Sequence, residues 1–146
     1  MKALTETDPR QFIADFFTSF SRDLLGGEDP EVVVDRYHTP DVVEIADGVR
    51  LDRDKLVAHT RPVRKNRPEV RVEVHEAVAD GDRLAARYTL DTRIKGRSLA
   101  IEAHFFGRFA PDGRLAEAHV LTRTLPSDAD TPPAGPATTD RQESPA

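Results

Sequence analysis

The chain is 146 residues long, 38% hydrophobic and 32% charged, with a formal net charge of −5. That is the length of one ordinary domain, and the acidic balance argues against sequence-independent nucleic-acid binding, which depends on neutralising phosphates. There is no cysteine, which excludes disulfides, a thiolate nucleophile and Cys-ligated zinc.

Residues 1–7 read as an N-terminal arm. The opening MKALTETDPR lacks the apolar segment of a secretory signal, and no apolar run reaches the roughly 18 residues of a membrane span, so a cytoplasmic location is expected. Asp8-Pro9-Arg10-Gln11 is a helix start: Asp8 caps, Pro9 fits the first helical position and Gln11 completes a capping box. Phe12, Ile13, Phe16, Phe17, Phe20 and Leu24 follow at helical spacing until Gly26-Gly27. Four of the seven Phe residues fall on this one helix, enough to pack a core and to roof a cavity. Asp29-Pro30 repeats the start signal for a short helix carrying Val32, Val33, Val34 and Tyr37, closed at Thr39-Pro40.

Val42 to Ile45 reads as a short strand, Asp47-Gly48 as a tight turn, and Val49 to Leu51 as the return. Asp52 caps a third helix, Arg53 to about Arg67, with Leu56, His59, Thr60 and Val63 on its inner stripe and Pro62 predicting a kink or boundary. Arg61, Arg64, Lys65 and Arg67 form a basic cluster, a solvated surface or a site for an acidic group on a ligand. Val70 to Val78 alternates strictly, Asp80-Gly81 turns, and Leu84 to Ile94 alternates again with Leu84, Ala86, Tyr88 and Leu90 on one face.

Arg97 to Leu125 is the organising stretch, one long hairpin. Leu99, Ile101, Ala103, Phe105 and Phe109 share one face of its first strand; Ala116, Ala118, Val120 and Thr122 share one face of the second. A four-residue turn, Ala110 to Gly113, predicts Phe105 opposite Ala118 and His104 opposite His119. Small side chains on the apolar face require helices laid across it and leave room for a pocket. The other face interleaves Phe106, Leu115 and Leu121 with Glu102, His104, Arg108, Glu117, His119 and Arg123, which predicts a homodimer through this face. Opposed histidines flanked by carboxylates are a minor alternative as a metal site; ordinary ion pairs explain them better. Residues 126–146 have no apolar period and are expected to be a disordered tail.

The element order, together with YHTPDVVEIADG, LDRDKLVAH, VRVEVHEAVADGDRLAARYT and GRFAPDGRLAE, resembles the SnoaL-like branch of the NTF2-like superfamily over residues 8–125. The resemblance implies an α+β cone: a strongly curved, mixed but mainly antiparallel sheet wrapped around three helices, with a central pocket. Such folds include polyketide cyclases, ketosteroid isomerases, limonene-epoxide hydrolases and non-catalytic binding modules. Aligned by these motifs, the isomerase general base falls on Ile45 and its protonated Asp on Phe105. The epoxide-hydrolase Arg and Asp fall on Ala86 and Tyr88, and the second Asp, with the cyclase Asp, on Val120. None of those positions except Tyr88 can exchange a proton. A one-residue slip would instead turn Glu44, His104 or His119 inward.

The expected function is therefore binding of a hydrophobic small molecule in an apolar cavity lined by Phe16, Phe20, Tyr37, Ile45, His59, Tyr88, Phe105 and Val120. If catalytic, it would run a cofactor-independent cyclisation, isomerisation or dehydration of secondary metabolism, with Tyr88 as electrophilic donor and His59 as proton shuttle. The alternative is a non-catalytic dimeric binding module. No cofactor, metal, nucleic acid or membrane partner is implied.

Overall fold

A computed structural model describes residues 3–126. The expected tail, Pro126 apart, lies outside the described residues.

Each main helix begins on an aspartate that accepts a backbone N–H which the helix itself cannot satisfy. Asp8 accepts from Gln11 at 3.1 Å ahead of α1 (Pro9–Leu24), Asp29 from Glu31 at 2.9 Å ahead of α2 (Pro30–Tyr37), and Asp52 from Lys55 at 3.0 Å ahead of α3 (Arg53–Asn66). The boundary expected at Pro62 does not occur, and α3 runs through it. Pro62 and Ala58 are both exposed, so the Ala58 carbonyl deprived of its donor faces water. Arg67 ends the helix at φ 46°. The basic cluster is partly structural: Arg67 donates to the Leu25 carbonyl at 3.3 Å and Arg64 to that of Glu28, so both tie down the loop around Gly26-Gly27. Ahead of α1, Leu4, in a short helical turn Leu4–Glu6, is buried in the core.

Among the described residues six strands form one open, curved sheet in the order β2-β1-β6-β5-β4-β3. They are β1 (His38–Ala46), β2 (Val49–Asp52), β3 (Glu69–Asp80), β4 (Arg83–Ile94), β5 (Arg97–Phe109) and β6 (Leu115–Thr124). All neighbours are antiparallel except β1 and β6. The α+β architecture expected from the sequence is thus present. The core lies between α1 and the concave side, where Phe12 and Phe16 meet Phe109 edge-on at 4.8 and 5.6 Å. In β3 a bulge at His75 frees two carbonyls, and Arg10 of α1 donates to both, those of Val74 at 3.1 Å and His75 at 3.2 Å.

The β5–β6 register differs from the expected one. The loop takes five residues, Ala110 to Arg114, closed by Ala110 N–H to Arg114 O at 2.8 Å, and Ala116 is a bulge. Each adds one residue of offset, so Phe105 faces Val120 and His104 faces Leu121. A two-residue displacement leaves the faces unchanged: Phe105 stays buried, and His104 and His119 stay exposed on the convex side. The bulge does turn Leu115 over. It is 1% exposed, inside the core, and does not join Phe106 and Leu121 on the convex face as expected.

Candidate active site on the concave face

Strand pairing aligns the inward-facing residues into rows across the sheet. Glu44, Ala118, Gly107 and Leu84 make one row; Ala46, Val120, Phe105 and Ala86 make the next; Ala103, Tyr88 and Val74 the third. Most of these side chains are small, as the sequence suggests. The Phe105 ring lies over Gly107, since a Cβ placed there would come within 2.5 Å of it.

Tyr88 and Glu44 are polar side chains that enter this apolar surface. Tyr88 is 3% exposed, and its hydroxyl has no hydrogen-bond partner among the described residues. Burial raises its pKa well above the ordinary phenol value, and the Glu44 carboxylate raises it further. Glu44 sits on β1 and Tyr88 on β4, three strands away, so sheet curvature brings them within electrostatic reach. Glu44 is half-buried and has neither cation nor hydrogen-bond donor among the described residues; burial alone pushes its pKa up. Phe17 covers Tyr88, with ring centroids 4.8 Å apart, and meets Phe105 edge-on at 5.9 Å.

The residues expected to line the cavity divide. Tyr88, Phe105, Val120 and Phe20 do lie on the concave side or pack against it. Phe16 is core, wedged between Phe109 and Tyr37. Ile45 points the other way. Its partner on β6 is the exposed His119, and it borders a convex hollow with Phe106 and Leu121. Inward-facing positions on β1 are Val42, Glu44 and Ala46, so Glu44, which the sequence turns inward only under a one-residue slip, takes the side expected for Ile45. A lone carboxylate inside the apolar run Val42 to Ile45 was the available signal. His59 is exposed and cannot serve the concave site; the inner position is Thr60, whose hydroxyl donates to the Val57 carbonyl at 2.7 Å.

Tyr37 is occupied structurally. Its hydroxyl donates to Asp23 at 2.6 Å, and burial, reinforced by that bond, pushes its pKa to about 12. Burial works against the Asp23 carboxylate, but Tyr37, Arg22 and Arg36 outweigh it and hold its pKa below the usual value. Tyr37→Phe should therefore cost about 1 kcal/mol in urea unfolding at neutral pH. A carboxylate with a depressed pKa contributes stability that is lost as pH falls through its folded value. The difference between the two proteins should accordingly shrink on acidification through the carboxylate range. Equal midpoints at neutral pH would mean that this bond contributes nothing.

The sequence matches the SnoaL-like domain model over residues 10–118. The chain belongs to the SnoaL-like family. Solved structures similar to this SnoaL-like chain include IdmH of Streptomyces antibioticus, a candidate polyketide cyclase, at 18% identity and TM-score 0.58, covering 80% of this chain and 92% of that one. An epoxide hydrolase of M. tuberculosis of the LEH-like type matches at 15% identity and TM-score 0.61, covering 79% and 82%. AclR of Streptomyces galilaeus, a candidate hydroxylase, matches at 17% and 0.59, covering 79% and 88%. At these identities the likeness shows the fold alone, and the activities differ from one neighbour to the next. No functionally curated protein matches the sequence.

Proposed function

We propose that this SnoaL-like protein binds a neutral, hydrophobic small molecule on the concave side of its sheet and transfers a proton to or from it at Glu44. The observation that carries this reading is the inward carboxyl of Glu44, half-buried without a partner among the described residues and within electrostatic reach of Tyr88, on a largely apolar wall. An uncompensated buried carboxyl costs stability, and such groups concentrate where chemistry needs them. Burial raises the Glu44 pKa, the direction that makes its carboxylate a stronger base. Tyr88, kept as the neutral phenol, donates its free hydroxyl to a carbonyl or phenol oxygen of the ligand. Phe17, Phe20, Phe105 and Val120 supply the apolar contact. The reactions open to such a pair are cyclisation, isomerisation or dehydration next to a carbonyl, without a cofactor. No helix among the described residues is long and apolar enough to cross a membrane.

Titration of the isotope-labelled protein with naphthol, followed by NMR, tests the binding part. Saturable shifts at Tyr88, Ala103, Phe105 and Val120 are expected. Shifts confined to the convex residues Phe106 and Leu121 would sink the concave site.

A second copy of the chain is the proposed protein partner. Strand pairing lines up Val78, Ala85, Phe106, His119 and Ile45 in one row across the convex face. Val78, Phe106 and Leu121 there are 67%, 64% and 67% exposed. Charged residues flank the row on both sides, an apolar stripe with a polar rim.

A further inference from the structure

The convex face carries both a knob and a hollow. Phe106 stands out from it, and next to it lies a depression of about 290 Å³ bordered by Ile45, His104, His119 and Leu121. A larger groove of about 580 Å³ flanks Phe106 on the side of Val78 and Arg108. A patch holding its own projection and its own recess is self-complementary under a two-fold axis, the condition for an isologous dimer. Both walls of the smaller recess that are not apolar are imidazoles.

We infer that His104 and His119 gate the pairing of two copies, allowing it while they are neutral and dissociating it when they are protonated. The inference rests on the proposed pairing through this face. His119 lies between Phe106 on β5 and Ile45 on β1, with Glu117 and Leu121 on its own strand. His104 lies between Arg87 on β4 and Leu121 on β6, with Glu102 and Phe106 on its own strand. Glu76 and Glu102 lie within electrostatic reach of His104, but both are shared with arginines. Glu102 pairs with Arg87 at 3.4 Å and with Arg123 at 3.2 Å, Glu76 with Arg87 at 2.9 Å, and Glu117 with Arg108 at 3.5 Å. Arg87 beside His104 and Arg50, one strand beyond Ile45, add positive charge. A second copy would bring the same set.

In the separate chain both histidines are exposed, and water solvates either protonation state. In the pair they would be dried against Phe106, Leu121 and Ile45, where the charged form loses its hydration. Protons then bind the separated chains better than the pair, and linkage requires acid to weaken association. Imidazole side chains as a class change charge between about pH 8 and about pH 5.5, and that interval sets the range for the test.

Sedimentation of the full chain at micromolar concentration tests this, with circular dichroism verifying that the fold persists at both pH values. The expected result is a dimer at about pH 8 whose dissociation constant rises at least about tenfold by about pH 5.5. His104→Asn combined with His119→Asn should remain dimeric at both, and Phe106→Glu should be monomeric at both. A monomer at about pH 8 would overturn the pairing and the gate together. Wild-type dimers at both pH values would overturn the gate and leave the pairing. Acid dissociation that persists in the double asparagine variant would show that other groups control it.

Discussion

Replacing Glu44 by leucine is expected to make the protein more stable, by about 1–2 kcal/mol at neutral pH. The carboxyl is half-buried with no partner among the described residues, and burial raises its pKa above the ordinary value of 4.5. For an acid whose folded pKa is raised, the folded state holds the proton more tightly than the unfolded one. Stability is then greatest below the unfolded pKa and declines as pH rises through the folded value. The advantage of Glu44→Leu should therefore disappear below about pH 4, where the wild-type carboxyl is neutral in both states. The chemical counterpart uses the isosteric Glu44→Gln. Deuterium exchange next to the carbonyl of tetralone, a neutral bicyclic ketone, should be catalysed by the wild type and fall about a hundredfold in the variant. Unchanged exchange would remove Glu44 as the proton-transferring group. A loss of stability in Glu44→Leu would show that the carboxyl has a stabilising partner.

Adding one methyl group at Gly107 should cost about 1–3 kcal/mol. The Cβ would fall 2.5 Å from Cε1 and 2.6 Å from Cζ of Phe105, and 3.3 Å from Leu115 Cδ1. Backbone conformation is not the obstacle, because Gly107 lies in regular strand. The ring cannot swing aside without displacing its neighbours, since Phe105 is 1% exposed and packed against Phe17, Tyr88 and Phe109. Combining Gly107→Ala with Phe105→Leu should recover part of the loss, a non-additivity measurable as a double-mutant cycle by urea denaturation. Additive effects would mean that the two side chains do not compete for this space. The pair also bears on the site, for Gly107 lies between Ala118 and Leu84 in the row that begins at Glu44. A ring forced off Gly107 would move into the space proposed for the ligand, so Gly107→Ala should weaken naphthol binding as well.

Local chemistry in the sequence determined a good deal. Three aspartates mark the helix starts because each supplies an acceptor for a free N–H of the first turn, a requirement met within three residues. Alternation with period two assigned the faces of β4, β5 and most of β6, so Tyr88, Phe105 and Val120 were placed on the concave side and Phe106 and Leu121 on the convex one. What tertiary structure decided were quantities that local periodicity leaves open. On α3, His59 and Thr60 stand three and four residues after Leu56 and fit an inner stripe equally well. Packing took the smaller Thr60, which satisfies its hydroxyl on its own helix. On β6, the five-residue loop and the bulge at Ala116 moved the register by two and turned Leu115 inward. On β1 the pairing is parallel, to a strand about 75 residues later, and is irregular between His38 and Val43. No nearby turn fixes such a register, and shifting it by one residue exchanges the two faces. Whether an isoleucine or a glutamate entered the concave side was therefore set by the long-range pairing of β1 with β6, and it gave the site its acid.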